Sequence, residues 1–195
     1  MKDVFIHSSA IVDDGCEVGE GTRIWHFSHL NKGCRVGCNC SFGQNVYVAS
    51  TAVVGNGVKV QNNVSIYDGV VLEDDVFVGP SAVFTNVINP RSFVVRKSEY
   101  RPTIVKRGAS LGANSTVVCG CVVGEYDGVV LRGEYRIAVV TKDVRNYALM
   151  VGVPAEQIGW VSRAGCRLEF NNEGEAVCSE SGERYKIQNG EIIKI

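Results

Sequence analysis

Histidine is scarce in this chain and badly distributed for catalysis. There are three, His7, His26 and His29, and none after residue 29. A histidine base or a three-histidine metal centre further along the chain is thereby excluded. Proline is rare, with four residues. No run of about 18 uncharged apolar residues exists, so no membrane span is expected. The N-terminal "MKDVFIHSSAIVDD" lacks the apolar core of a secretion signal, which points to a cytoplasmic location. A net charge of −1 gives no broad basic surface for nucleic acid, though it allows a local basic pocket. Without a secretion signal, the eight cysteines are expected to be thiols.

What the chain has instead is a rhythm. Reading from Ile6 in steps of six gives Val12, Val18, Ile24, Leu30, Val36, Phe42, Val48, Val54, Val60, Ile66, Leu72, Val78 and Phe84. The period resumes at Val105, Leu111, Val117 and Val123. All eighteen starting positions are aliphatic or Phe. Four residues after the start the slot is mostly small, as at Ala10, Cys16, Ser28, Cys34, Ala52 and Ala109, and Gly often follows the start directly. Six fits neither a helix nor a plain alternating strand. It fits a strand of a few residues followed by a tight corner, with Gly or Asn taking the unusual backbone angles of the turn. Three such units close a triangular coil of eighteen residues, and the coils stack about 4.8 Å apart as parallel strands.

The repeat covers roughly 3–144, interrupted by a projecting loop at 90–104. A connection with a turn and a short helix is expected over 145–165, and a small β-rich tail over 166–195, whose Asn-Gly and Glu-Gly pairs read as turns. Between Val123 and Val140 lie about five residues more than two hexads need, so a bulge or outward loop is expected near 127–139, and Asp127 falls in a slot that should be small. Cys16, Cys34, Cys40 and Cys121 occupy the small inward slot and are expected to fill core, while Cys38 and Cys119 fall at corners. Cys166 and Cys178 lie in the tail, where two cysteines alone make a weak zinc site.

Stacking supplies coordinates. Residues eighteen apart share a column, so Asp68 and Asn86 stack at one corner, and His26, Gln44 and Asn62 stack at another. The break throws a loop carrying Arg91, Arg96, Lys97, Glu99, Tyr100 and Arg101 out beside Asn86, a suitable surrounding for an anionic ligand. Asp68 in "YDGV" also suits a plain turn. His26 lies three coils below Asn86, roughly 14 Å along the axis, which leaves it free to touch a long ligand but not to act as base there. His7 and His29 read as solvated corners.

The stretches "KVQNNVSIYDGVVLEDDVFVGPSAVFTNVINPRS", "EYRPTIVKRGASLGANSTVVCG" and "ALMVGVPAEQIGW" resemble the hexapeptide-repeat acyltransferases, whose fold is a left-handed parallel β-helix. Within them they resemble the nucleotide-linked amino-sugar N-acetyltransferases, especially those acetylating the 3-amino group of UDP-2-acetamido-3-amino-2,3-dideoxy-glucuronate for surface polysaccharide (O-antigen, lipopolysaccharide) synthesis. The resemblance implies a homotrimer in which acetyl-CoA and a UDP-linked amino sugar meet between neighbours, without a metal. It implies that Asn86 sits at the reacting centre, orienting the amine or donating to the developing oxyanion, with Asp68 as a reserve base. Arg91, Arg101 and Lys97 become candidates for the sugar nucleotide, Gln44, Asn62, Tyr67 and His26 for sugar or uridine contacts, and Gly112, Ala113, Gly120 and Lys142 for the coenzyme. Two departures stand out: the extra residues near 127–139, and Glu156 after "GVPA", where relatives often carry a base. The alternatives are an N-acetyltransferase for a dTDP-linked 3-amino-deoxyhexose, a non-catalytic sugar-binding solenoid, and a three-histidine zinc hydratase of the same fold.

Overall fold

The computed structural model describes residues 3–129 and 138–195. The hexads wind into a left-handed parallel β-helix of about seven turns. Each hexad contributes a strand of two or three residues, and the strands stack into three sheets that form the faces of a prism. The first face runs from Phe5–Ile6 through Arg23–Ile24 and Ser41–Phe42 up to Gly128–Val129 and Ala148–Val151. The second begins at Ile11–Val12 and ends at Val139–Val140, and the third begins at Glu17–Val18 and ends at Val122–Val123. The register is eighteen residues, as in Phe5 opposite Arg23 and Ser65 opposite Val83.

The hexad starts point inward. Ile24, Leu30, Phe42, Val48, Ile66, Leu72, Phe84 and Leu111 are all sealed from solvent. Their column is the core, and burying residues of this size contributes about 1.5–3 kcal/mol each. Three polar residues in the small slot are satisfied by backbone: Thr22, Ser28 and Ser115 donate their hydroxyls to the carbonyls of Gly37, Gly43 and Gly112 at 2.8–2.9 Å.

The corners refine the expectation for glycine. Left-handed backbone falls on the third residue after the hexad start, on Asn39, Asn45, Asn63, Asn114 and Gly57. The glycine directly after the start serves close approach instead. A Cβ on Gly55 would lie 2.6 Å from the Asp74 carboxylate and 2.7 Å from its amide nitrogen, one coil above.

Three boundaries move. The projecting loop leaves after Val83–Phe84 and is back in the sheet at Thr103–Val105, so Thr103 and Ile104, placed in the loop by the sequence, pair with Val70 and Val71. The reason is the hydrogen bond from the Thr103 amide to the Gly69 carbonyl, which re-enters the hexad register before Val105. The parallel stack also runs past 144, because Ala148–Val151 pairs with Gly128–Val129. In place of a short helix over 145–165 the chain turns back as Glu156–Trp160, antiparallel to Ala148–Val151, and Trp160 packs on the end of the core. The extra residues expected near 127–139 fall largely on 130–137, outside the described residues.

The tail is an antiparallel sheet of Glu175–Val177, Arg184–Gln188 and Glu191–Lys194 over a small core of Leu168, Ala176, Cys178, Tyr185 and Ile192. It is fastened to the prism through an aromatic ladder, Tyr126 on Tyr147 at 5.4 Å and Tyr147 on Tyr185 at 5.8 Å, with Arg163 4.7 Å above the Tyr126 ring. No helix among the described residues is long and apolar enough to cross a membrane.

Candidate active site

Two edges of the prism carry the candidate residues, and one edge explains Asn86. At several corners the second residue after the hexad start is Asn or Asp, and its side-chain oxygen accepts the backbone amide of the coil below. Asn56 does this for Cys38 at 2.9 Å, Asn62 for Gln44 at 2.8 Å, Asp74 for Asn56 at 2.8 Å and Asn146 for Glu125 at 2.9 Å. This ladder is what a turn Asn is for. Asn86 occupies the equivalent position between the second and third faces, yet among the described residues its carboxamide has no hydrogen-bond partner. It is half-buried, with both amide protons and the oxygen available to a ligand.

The loop positions that corner. The Arg101 amide donates to the Asn86 carbonyl at 3.0 Å, so the returning strand of the loop is tied to the residue from which the loop departs. The Gly120 amide donates to the Pro102 carbonyl at 3.0 Å, and a Cβ on Gly120 would meet the Arg101 side chain at 3.3 Å. Asn86, Arg101 and Gly120 are therefore one cluster. Lys142, exposed, stands two coils above Asn86 on the same edge, about 10 Å along the axis. Within the loop, Lys97–Glu99 forms a 3-10 turn closed by an Arg96–Glu99 ion pair of 2.7 Å, and Arg91 donates to the Pro90 carbonyl at 2.8 Å. The tip is apolar and bare: Phe93 is 85% exposed and Val95 86%.

Asp68 lies directly below Asn86, as its numbering requires, but its carboxylate turns downward. It accepts the Thr51 hydroxyl at 2.8 Å and the Thr51 amide at 3.2 Å, and the Gly69 amide donates to the same Thr51 oxygen at 3.1 Å. Its bonded partner Thr51 thus lies two coils below Asn86. Thr51 was missed by sequence reasoning; its only signal is lying seventeen residues before Asp68. Tyr67 is on this edge too, meeting Tyr47 edge to face at 6.3 Å.

The other edge, between the first and second faces, holds His26, Gln44 and Asn62. They line a groove of about 390 Å³ with Trp25, Gln61 and Ser41. His26 stacks on His7 with ring centroids 3.5 Å apart, and Trp25 is the unforeseen member. Gly112 and Ala113 belong to this edge as well, close above Gly79, whose Cβ would lie 2.6 Å from the Ala113 amide nitrogen. Within one chain the structure therefore separates the candidates into two groups: Asn86, Asp68, Tyr67, Arg91, Arg101, Gly120 and Lys142 on one edge, and His26, Gln44, Asn62, Gly112 and Ala113 on the other. His29 bonds to Asp13 at 3.2 Å, apart from the other two histidines' stack. That bond lowers Asp13 below the usual carboxylate range. Among the described residues no group of three or more His, Cys, Asp or Glu side chains is assembled to hold a metal.

Comparison with known proteins agrees with this architecture. Residues 51–86 match the family described as bacterial transferase hexapeptide (six repeats). The chain is 41% identical over 191 residues to the dTDP-3-amino-3,6-dideoxy-alpha-D-galactopyranose 3-N-acetyltransferase of Aneurinibacillus thermoaerophilus, covering 98% of this chain and 95% of that one. Among solved structures, the acetyltransferase domain of PglB from Neisseria gonorrhoeae in complex with acetyl coenzyme A is similar with a TM-score of 0.51 at 17% identity, covering 80% of this chain and 57% of that one. A hexapeptide-repeat acetyltransferase from Vibrio cholerae is similar with a TM-score of 0.53 at 19% identity, covering 74% and 73%. The structural likenesses speak to the fold, whereas the near full-length relative decides kinship: the chain belongs to the hexapeptide-repeat acyltransferase family.

Proposed function

We propose that this protein transfers the acetyl group of acetyl-CoA to the 3-amino group of a nucleotide-linked amino sugar, and that the sugar is a dTDP-linked 3-amino-deoxyhexose. The observation that carries the reading is Asn86, an Asn withdrawn from the turn ladder and held beside a cationic loop. The choice of dTDP over the UDP-linked uronate rests on kinship across almost the whole chain with an enzyme named for a dTDP-linked 3-amino sugar.

Amide formation from a thioester needs a neutral amine about 3–3.5 Å from the carbonyl carbon and donors for the oxyanion. The Asn86 carboxamide can accept from the amine N–H or donate to the oxyanion, and it cannot take a proton. The amine is therefore delivered neutral, and its proton leaves with the departing sulfur or through water. Arg101 and Arg91 face the phosphates of the sugar nucleotide, and Lys142 a phosphate of the coenzyme. Because His26, Gln44 and Asn62 occupy a different edge from Asn86, a complete site takes its second half from a neighbouring copy, in keeping with a trimer.

The test is release of coenzyme thiol from acetyl-CoA with a panel of dTDP- and UDP-linked 3-amino sugars. Turnover is expected with the dTDP-linked 3-amino-3,6-dideoxyhexoses. A preference for the UDP-linked uronate would overturn the assigned nucleotide, and absence of turnover together with absence of acetyl-CoA binding by calorimetry would leave a non-catalytic solenoid.

A further inference from the structure

The tail holds a pair of thiols that acetyl transfer does not use. Ser162 sits between them: its Oγ accepts the Cys166 amide at 3.1 Å and lies 3.1 Å from Cys178 Sγ. The Ser181 amide donates to Cys178 Sγ at 3.4 Å, and the Cys166 thiol reaches the Glu180 carboxylate at 3.4 Å. Both cysteines thus converge on one hydroxyl, Cys178 through its sulfur and Cys166 through its amide, and Cys166 packs against the small tail core that contains Cys178. Backbone holds the arrangement, because the Ser162 amide donates to the Cys166 carbonyl at 2.8 Å and the Gly165 amide to the Ser162 carbonyl at 2.9 Å. Cys166 is half-exposed, whereas Cys178 is covered by the small tail core.

Two chemistries suit paired thiols, and the surroundings decide between them. A structural zinc site takes four Cys or His ligands. Here the side chains beside Cys178 are the hydroxyls of Ser162 and Ser181, and Cys166 adds only one more thiol. A disulfide needs nothing but the two sulfurs.

We propose that Cys166 and Cys178 form a redox-responsive pair that closes to a disulfide when a hydroperoxide reaches Cys166. The Cys166 sulfur attacks the peroxide oxygen, the O–O bond breaks, the thiol proton passes to the departing oxygen, and the products are a sulfenic acid and an alcohol, or water from hydrogen peroxide. The Cys178 thiolate, its proton already lost to solvent, then attacks the Cys166 sulfur and expels hydroxide, which is protonated to water. Two thiols and one hydroperoxide thus give one disulfide, one alcohol or water, and one water.

The donors support the second step. Hydrogen bonding from Ser162 and then Ser181 holds the Cys178 thiol down to about 6, so that at neutral pH it is mostly the attacking thiolate. The prism supplies a built-in contrast. Cys34 and Cys16 stack with sulfurs 3.6 Å apart, but Cys34 is sealed in the prism core, out of reach of a hydroperoxide, and burial pushes its thiol up to about 12.

The experiment exposes the full chain to stoichiometric hydrogen peroxide, alkylates with iodoacetamide in denaturant, digests without reduction and maps the peptides by mass. Expected is a linked pair of peptides carrying Cys166 and Cys178, lighter by two hydrogens, with Cys16 and Cys34 alkylated. Cys178→Ser should leave Cys166 as a sulfenic acid captured by dimedone. Alkylation of both tail thiols after oxidation, or earlier oxidation of Cys16 with Cys34, would overturn the proposal. So would protection of both tail thiols by one equivalent of zinc without peroxide, which would make this a metal site.

Discussion

Asp127 offers a sharp test of the repeat as a physical object. It occupies the small inward slot, in the column of Thr22, Cys40 and Ala109, and only 1% of it is exposed. Among the described residues neither carboxylate oxygen has a partner. Burial pushes its pKa well above the 3.8 of a free side chain. The folded chain therefore accepts the neutral acid, which can donate a hydrogen bond as Thr22 does to Gly37, whereas the carboxylate can only accept. Stability from this group is complete below 3.8 and is lost as pH climbs toward the raised value. The loss runs at about 1.4 kcal/mol per pH unit while the unfolded chain is ionised and the folded chain is not. Asp127→Asn keeps the shape, supplies a permanent donor and removes the titration. Urea unfolding of both proteins, followed by circular dichroism at pH 5 and pH 6, should show the wild type losing more stability than the variant over that unit, by up to about 1.4 kcal/mol. Parallel pH profiles would refute the reasoning, since they would mean that Asp127 is already ionised and compensated in the fold.

Asn86→Ala should lower kcat by about 10²–10³-fold with little change in either KM, as loss of a transition-state contact requires; unchanged steady-state turnover would remove Asn86 from the chemistry. Gly55→Ala should destabilise by about 1–3 kcal/mol, because its Cβ would press on the backbone of Glu73 and Asp74 in the next coil as well as on the Asp74 carboxylate. Denaturant midpoints would check this, and a neutral result would show that neighbouring coils can separate at that corner.

The prism was legible in advance because its cause is local and repeated. Every hexad has the same inward aliphatic residue, so an eighteen-residue register follows without knowledge of any distant contact, and with it the stacking of Asp68 under Asn86 and the column of His26, Gln44 and Asn62. Sequence by itself therefore determined the fold, the family and which corners carry polar residues. Tertiary structure alone decided what those residues do there. Asn56, Asn62 and Asn86 are identical in type and position within the hexad. The difference is that the first two accept an amide from the coil below and Asn86 does not, a matter of hydrogen-bond partners across coils. The direction of the Asp68 carboxylate toward Thr51, the antiparallel return of Glu156–Trp160 and the meeting of Cys166 with Cys178 around Ser162 have the same origin. Each depends on one approach between segments outside the repeat or across its stack, and a single such approach leaves no periodic trace in the order of residues.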